Sequence, residues 1–236
     1  MAVETRSVRN YGQYCPIARG SEIFAERWTP IILRNILFGC RTFNEIAAGA
    51  PGLSRTLLTR RLQELGRAGI IQIHDKPSGK GSLYEPTPAG EALLPVLHAL
   101  GLWADEWTDV TPEHSDPQIV IWAWSQLYLR REALPDRRIV VQFDCEFRSR
   151  RYRAWMLIER GDAELCAFDP GFGDDLVVTV HDTVMFARWH LGLTRWSTLL
   201  RSGAVTVAGP AALRRALPTW NSHPDVAGRL RAAHRA

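Results

Sequence analysis

No apolar run in this chain approaches the roughly 20 residues that a membrane-spanning helix needs. The opening stretch MAVETRSVRN also lacks the hydrophobic segment of a secretory signal. A soluble cytoplasmic protein with no membrane partner is therefore expected. Cysteine is scarce: Cys15, Cys40, Cys145 and Cys166 are scattered and form no CxxC pair. That spacing argues against both a structural zinc site and a disulfide framework. Neither GxSxG nor HExxH occurs, the seven histidines are dispersed, and Asp174-Asp175 reads as a solvated turn rather than a metal site. No catalytic residues, metal or other cofactor are expected, and the chain does not read as an enzyme. Repeats and low-complexity tracts are absent as well. The formal charge of +4 is compatible with nucleic acid but too small to demonstrate it.

What is present is enough apolar material for two cores. The chain has 236 residues, 46% of them hydrophobic and 23% charged, which suits two globular domains better than one. The stretch TDVTPEHSDP, residues 108–117, holds two prolines and few apolar residues, and reads as a linker. The expected division is 1–107, a linker at 108–117, and 118–236. Upstream the apolar spacing is largely helical. Downstream a helix precedes strand-like runs at 139–147, 153–160, 163–168 and 176–180, the pattern of an α+β domain.

In the first half, Ile17–Ala25 and Trp28–Leu37 carry helical spacing, with Pro30 near the start of the second, where its missing N–H costs least. Thr42 can cap a short helix over Phe43–Ala48, and Gly49-Ala50-Pro51-Gly52 breaks it. Ser54 then offers an N-cap to Arg55–Gly66. Leu58, Leu62 and Leu65 share one face of this helix. Arg55, Thr56, Thr59, Arg60 and Gln63 project from the other. This is a helix-turn-helix, and its second helix has the chemistry of base reading: arginine suits guanine O6 and N7, while threonine and glutamine suit adenine edges, thymine methyls or phosphates.

A hairpin follows. Ile70–His74 and Leu83-Tyr84-Glu85 are short strands around the tip Asp75-Lys76-Pro77-Ser78-Gly79-Lys80-Gly81-Ser82. Placed there, the hairpin is a wing, and Lys76 and Lys80 are positioned for phosphates or a minor groove. Between Arg41 and Gly81 there are seven basic residues (Arg41, Arg55, Arg60, Arg61, Arg67, Lys76, Lys80) against Glu45, Glu64 and Asp75, a local excess as large as that of the whole chain. The candidate DNA-binding residues are Thr42, Asn44, Ser54, Arg55, Thr56, Thr59, Arg60, Arg61, Gln63, Lys76 and Lys80. Pro88–Trp107 reads as one long helix whose stripe of Leu93, Leu94, Val96, Leu97, Leu100, Trp103 and Trp107 serves as core or as a dimer seam. Pro95 within it implies a kink or a late start.

These residues resemble the HxlR-type winged-helix regulators. The resemblance runs through Tyr14-Cys15-Pro16, Arg27-Trp28-Thr29-Pro30-Ile31-Ile32-Leu33-Arg34, Arg41-Thr42-Phe43-Asn44-Glu45-Ile46 and Pro51–Leu62. It continues through Gly69-Ile70-Ile71 and Tyr84-Glu85-Pro86-Thr87-Pro88-Ala89-Gly90, and ends near Trp103. It implies a homodimer, built from the N-terminal segments and the last helix, that binds double-stranded operator DNA and represses or activates nearby promoters. The family's wing often carries Pro-Pro-Arg-Val-Glu-Tyr; here the tip is Gly79-Lys80-Gly81-Ser82, with Lys80 in the arginine's stead. Cys15 stands where some members carry a redox-sensing cysteine.

From Pro117 onward the chain resembles the sterol-carrier-protein-like (SCP-type) domains. The resemblance rests on Arg153–Gly161, Asp169-Pro170-Gly171-Phe172, Asp174–Val178 and Gly203–Pro210. It implies a sheet packed by helices around an apolar tunnel. The fold class expected is thus α+β: a mainly helical winged helix-turn-helix with a β-hairpin wing, followed by an α+β sterol-carrier-like domain. Large rings, among them Trp122, Phe143, Trp155, Phe172, Phe186 and Trp189, are candidate linings for a hydrophobic small-molecule effector, or simply core. Three functions follow: a regulator controlled by such an effector, a thiol-based redox switch through Cys15, or an apolar-ligand carrier with a vestigial DNA-binding domain.

Overall fold

Prolines and small polar caps set where the N-terminal helices begin. In the computed structural model, which describes residues 10–77 and 80–222, Pro16 opens helix α1 (Pro16–Phe24) and Pro30 sits in the first turn of α2 (Thr29–Leu37). Thr42 caps α3 (Phe43–Ala48) with a full capping box. Its Oγ1 accepts from the Glu45 N–H at 3.3 Å, and the Glu45 carboxylate accepts from the Thr42 N–H at 3.0 Å. Ser54 Oγ accepts from the Leu57 N–H at 3.2 Å and starts α4 (Arg55–Arg67).

The chain divides into two units, Met1–Gly101 and Leu102–Ala236. The core of the first joins Ile32, Leu33 and Ile36 of α2, Ile46 of α3, and Leu58, Leu62 and Leu65 of α4, all buried. Within it Asn35 is fully buried and bonded at both ends of its amide: its Nδ2 donates to the Ile46 carbonyl at 3.0 Å and its Oδ1 accepts from Arg34. Arg34 in turn donates to the Gly49 carbonyl at 2.8 Å, so α2 is stapled to the C-terminal half of α3 and its cap.

Strands β1 (Ile71–Asp75) and β2 (Ser82–Pro86) pair antiparallel, with Ile73 opposite Tyr84. At the base of this wing the Thr87 hydroxyl donates to the Gly69 carbonyl (2.7 Å) and the Ile70 carbonyl (3.1 Å) while capping α5 (Pro88–Glu91). Gly90 packs so closely on that turn that a Cβ there would lie 2.2 Å from the Ile70 carbonyl oxygen. The single helix expected over Pro88–Trp107 is in fact two. The break falls after α5, and α6 (Leu94–Trp107) begins with Pro95 in its first turn, the late start that proline allows.

The stretch 108–117, expected as a linker, is packed instead. Thr108 closes α6 by donating its N–H and hydroxyl to the Ala104 carbonyl, and a 3-10 turn follows at Pro112–His114. Ser115 is fully buried, within 2.9 Å of the Thr183 hydroxyl. Asp116 then caps α7 (Pro117–Gln126).

The second unit is a five-stranded sheet. In sequence order it comprises β3 (Ile139–Phe147), β4 (Arg150–Glu159), β5 (Asp162–Cys166), β6 (Leu176–Val180) and β7 (Val205–Ala208); in space the order is β5-β4-β3-β6-β7. The β3–β6 pair alone is parallel. Period-two alternation puts Ile139, Val141, Phe143 and Cys145, with Met156 and Ile158, into a core shared with α7, α8 (Thr183–His190), α9 (Trp196–Ser202) and α10 (Ala211–Ala216). Gln142, Asp144, Arg153 and Trp155 fall on the opposite face. The segment after α7 is held by the end of the described chain. Arg130 N–H donates to the Trp220 carbonyl and Ser222 N–H to the Tyr128 carbonyl, each at 2.8 Å. Among the described residues no helix is long and apolar enough to cross a membrane.

Candidate nucleic-acid interface

Helix α4 turns one face inward and leaves the other bare. Leu58, Leu62 and Leu65 are at most 3% exposed, while Ser54, Arg55, Thr56, Thr59, Arg60 and Gln63 are exposed. At about 100° per residue, Thr56, Thr59, Arg60 and Gln63 form one stripe. Arg67 continues it and is exposed too. The sequence reading left Arg67 out of the candidate set, although its spacing of four from Gln63 and seven from Arg60 was the available signal.

The stripe is organised rather than merely solvated. Arg60 Nε donates to Glu64 Oε1 at 2.9 Å, leaving the rest of its guanidinium outward. Arg55 lies 4.6 Å from the Phe43 ring centroid and donates to Asn44 Oδ1 at 3.0 Å. These contacts join α3 to the start of α4 and bring Asn44 and Arg55 together. The Thr59 hydroxyl donates back to the Arg55 carbonyl at 3.0 Å. Ser54 and Thr42 both spend side-chain oxygens on capping.

Arg61 requires a correction. Expected on the DNA-facing side, it is only 9% exposed. Its Nη1 donates to Glu64 at 2.7 Å and its Nη2 donates to Glu26. Position 61 lies three residues after Leu58 and four before Leu65, so helical geometry sends it inward whatever its charge. It ties α4 to the chain between α1 and α2.

The wing is anchored next to this surface. Tyr84 N–H donates to the Arg41 carbonyl at 2.8 Å, and Thr42 bridges to Leu83. Lys80 is exposed, whereas Lys76 is half-buried with its backbone N–H on the Gly81 carbonyl at 3.0 Å. The tip residues Ser78 and Gly79 lie outside the described residues. Burial by itself would raise the Glu45 carboxyl. The N–H groups of Arg41 and Thr42, helped by the Lys76 charge, outweigh burial and hold it below its ordinary value of 4.5. Glu64 is held low in the same way, burial being outweighed by its bonds to Arg61 and Arg60. Cys15 is half-buried at the N-cap of α1, its carbonyl accepting from the Arg19 N–H at 3.1 Å.

The six rings expected to line a ligand site are dispersed. Phe143, Phe186 and Trp189 are core: Phe186 stacks on Trp189 at 5.5 Å, and Trp124 meets Phe143 and Trp189 edge-on at 5.9 and 5.1 Å. Trp122 is buried on α7. Trp155, on the other face of the sheet, donates its indole N–H to Asp174 at 3.1 Å, and Phe172 is 54% exposed beneath the Arg138 guanidinium at 3.9 Å. A concavity of about 840 Å³ lies instead beside the β3–β4 hairpin, bordered by Arg148, Arg151, Arg153, Thr179 and His181 and by none of those six rings. The buried indole N–H groups of Trp124, Trp196 and Trp220 have no acceptor among the described residues.

These elements make the first unit a winged helix-turn-helix, and the comparisons agree. A family model described as HxlR-like helix-turn-helix matches residues 23–112. The uncharacterised HTH-type transcriptional regulator YvaP of Bacillus subtilis is 34% identical over 102 residues, 42% of this chain and 94% of that protein. Rv3095 of Mycobacterium tuberculosis, also an uncharacterised HTH-type transcriptional regulator, is 28% identical over 149 residues, 58% of this chain and 92% of that protein. The chain belongs to the HxlR-like helix-turn-helix family and is a DNA-binding transcriptional regulator. Among solved structures, the reduced form of the transcriptional regulator YodB from Bacillus subtilis is 28% identical over 41% of this chain and 96% of that chain, with a TM-score of 0.36.

Proposed function

We propose that the protein acts as a homodimer in which α4 enters the major groove, the wing meets the phosphate backbone, and a hydrophobic small molecule bound in the second unit controls DNA affinity. The observation that carries the reading is the bare stripe of Thr56, Thr59, Arg60 and Gln63 on a helix whose opposite face is sealed into the core. Asn44, Arg55, Lys76 and Lys80 border the stripe or the wing and supply phosphate contacts.

The dimer is supported by apolar surface that a lone chain leaves wet. Val96, Leu100, Trp103 and Trp107 recur along α6 at intervals of four, three and four, and are 44–69% exposed. Tyr14 and Ile17 near α1 are 95% and 79% exposed. Two-fold symmetry would then present two α4 helices to half-sites roughly 34–36 Å apart.

For the second unit, the sterol-carrier-like reading of residues 118–236 is supported by a sheet with helices packed on one face. The ligand is supported by the three buried indole N–H groups that have no acceptor among the described residues, each costing about 1–3 kcal/mol if left unmet. Such a ligand regulates only if it binds the DNA-competent and DNA-incompetent dimers unequally. An anisotropy titration on the protein's own upstream promoter, across a salt series and with candidate lipids, tests the whole reading. Saturable, sequence-dependent binding that a lipid shifts supports it. Equal weak binding to every sequence removes it.

A further inference from the structure

We propose that the β3–β4 hairpin of the second unit is an additional contact for duplex DNA, one that grips phosphates and reads no bases. This rests on the DNA-binding reading above and extends it to a part of the chain outside the winged helix.

The hairpin tip is a concentrated cation. Residues 144–153 contain Arg148, Arg150, Arg151 and Arg153 against Asp144 and Glu146. The acids do not cancel the arginines evenly. Asp144 is taken by Arg153, whose Nε donates to it at 2.6 Å. Glu146 stands opposite Arg151 in the strand register. Among the described residues no carboxylate is ion-paired with Arg148 or Arg150, and Arg148, Arg150 and Arg151 are all exposed.

The tip is also shaped. Arg148 and Ser149 both adopt left-handed backbone, at φ 51° and 60°, so two strands are joined by the tightest of turns without a glycine. That conformation is costly for ordinary residues and fits a position where side-chain chemistry outranks backbone ease. The Arg148 guanidinium rests 5.0 Å from the Phe147 ring, which limits its wandering before any partner arrives. Beside the turn lies the open concavity, where Arg148, Arg151 and Arg153 outnumber the carboxylates Asp144 and Glu146 and Thr179 and His181 add polar groups. A two-stranded hairpin with an exposed basic tip shares that form with the wing. The polyanion this chain already binds is the occupant with matching charge.

The test uses the full chain in anisotropy titrations over a salt series, on an operator duplex and on an unrelated duplex of equal length. It compares the wild type with the triple variants Arg148→Ala/Arg150→Ala/Arg151→Ala and Arg148→Lys/Arg150→Lys/Arg151→Lys. The alanine variant should lower the slope of log K against log salt by roughly two to three units, at about 0.9 for each of up to three lost phosphate contacts. It should weaken both duplexes by the same factor, and the lysine variant should keep the wild-type slope. An alanine variant that matches the wild type overturns the inference, as does a lysine variant that fails equally, because charge is then not the cause. If wild-type binding depends on Lys80 but not on the hairpin, this inference alone falls. If the wild type binds no duplex, the DNA-binding reading falls and takes this inference with it.

Discussion

Arg61 donates to Glu26 across thirty-five positions of sequence, so an arginine within the second helix of the helix-turn-helix serves the fold. Its neighbour Arg60 leans on Glu64 from the outside, with 59% of its side chain exposed. Two adjacent arginines thus face opposite tasks, and mutation separates them.

Arg61→Ala should destabilise the first unit by about 1–2 kcal/mol. This is less than the loss of a fully buried pair, because Glu26 and Glu64 keep 42% and 32% of their side chains exposed. Urea denaturation followed through that unit measures it. Arg60→Ala should leave stability within about 0.5 kcal/mol while costing about 1–3 kcal/mol of operator affinity and blurring sequence preference. Unchanged affinity across several operators would remove Arg60 from base contact.

Acid should loosen the helix-turn-helix. The folded Glu45 and Glu64 carboxyls lie below their ordinary 4.5, so the stability they contribute is present above that value and is lost as pH falls through their folded values. Glu45→Gln should flatten this acid limb and lower stability at pH 7. A pH series of urea midpoints that shows no difference between wild type and variant contradicts the capping-box account.

Gly90→Ala would push a methyl to 2.2 Å from the Ile70 carbonyl and should cost about 1–3 kcal/mol or more, through displaced backbone rather than lost packing. A thermal melt decides it, since an unchanged midpoint would mean α5 can shift freely against the wing base.

Lys80→Ala should weaken binding evenly across sequences and lower the salt slope by about one unit. An unchanged slope would place the wing tip away from phosphate.

With the proposed dimer seam on α6, the wild type should sediment as a dimer, and Leu100→Glu with Trp103→Glu should sediment as a monomer with reduced operator affinity. A variant that stays dimeric would move the seam off α6.

Much of the first unit was legible because its signals are local. Thr42 and Ser54 cap the helices they were expected to cap, and Leu58, Leu62 and Leu65 face inward as their spacing required. Arg61 was misread because charge was weighed above helical phase, and the same phase would have added Arg67. In the second unit β3 and β6 were legible from their alternation. The start of β4 was not, since Arg148 and Ser149 turn the chain without the glycine or asparagine that marks such turns. The aromatic rings were the hardest to place. Phe143 is in phase with Ile139 and Val141 and so was bound for the core. Phe172 and Trp155 take their surroundings from a loop that brings Asp174 to one and Arg138 to the other, and no periodicity announces a loop's path.

The tie between residues 128–130 and 220–222 bears on how the protein is made. During translation the first unit has α1 to α5 and its wing, and the first half of α6, once Gly101 has left the ribosome. The second must wait for Trp220 and Ser222, whose backbone partners sit directly after α7. Vectorial synthesis therefore completes the DNA-reading unit first, while the sheet-and-helix unit stays open. A nascent chain halted between the two stages would expose the aromatic core of the second unit, making this interval the point at which a chaperone matters most.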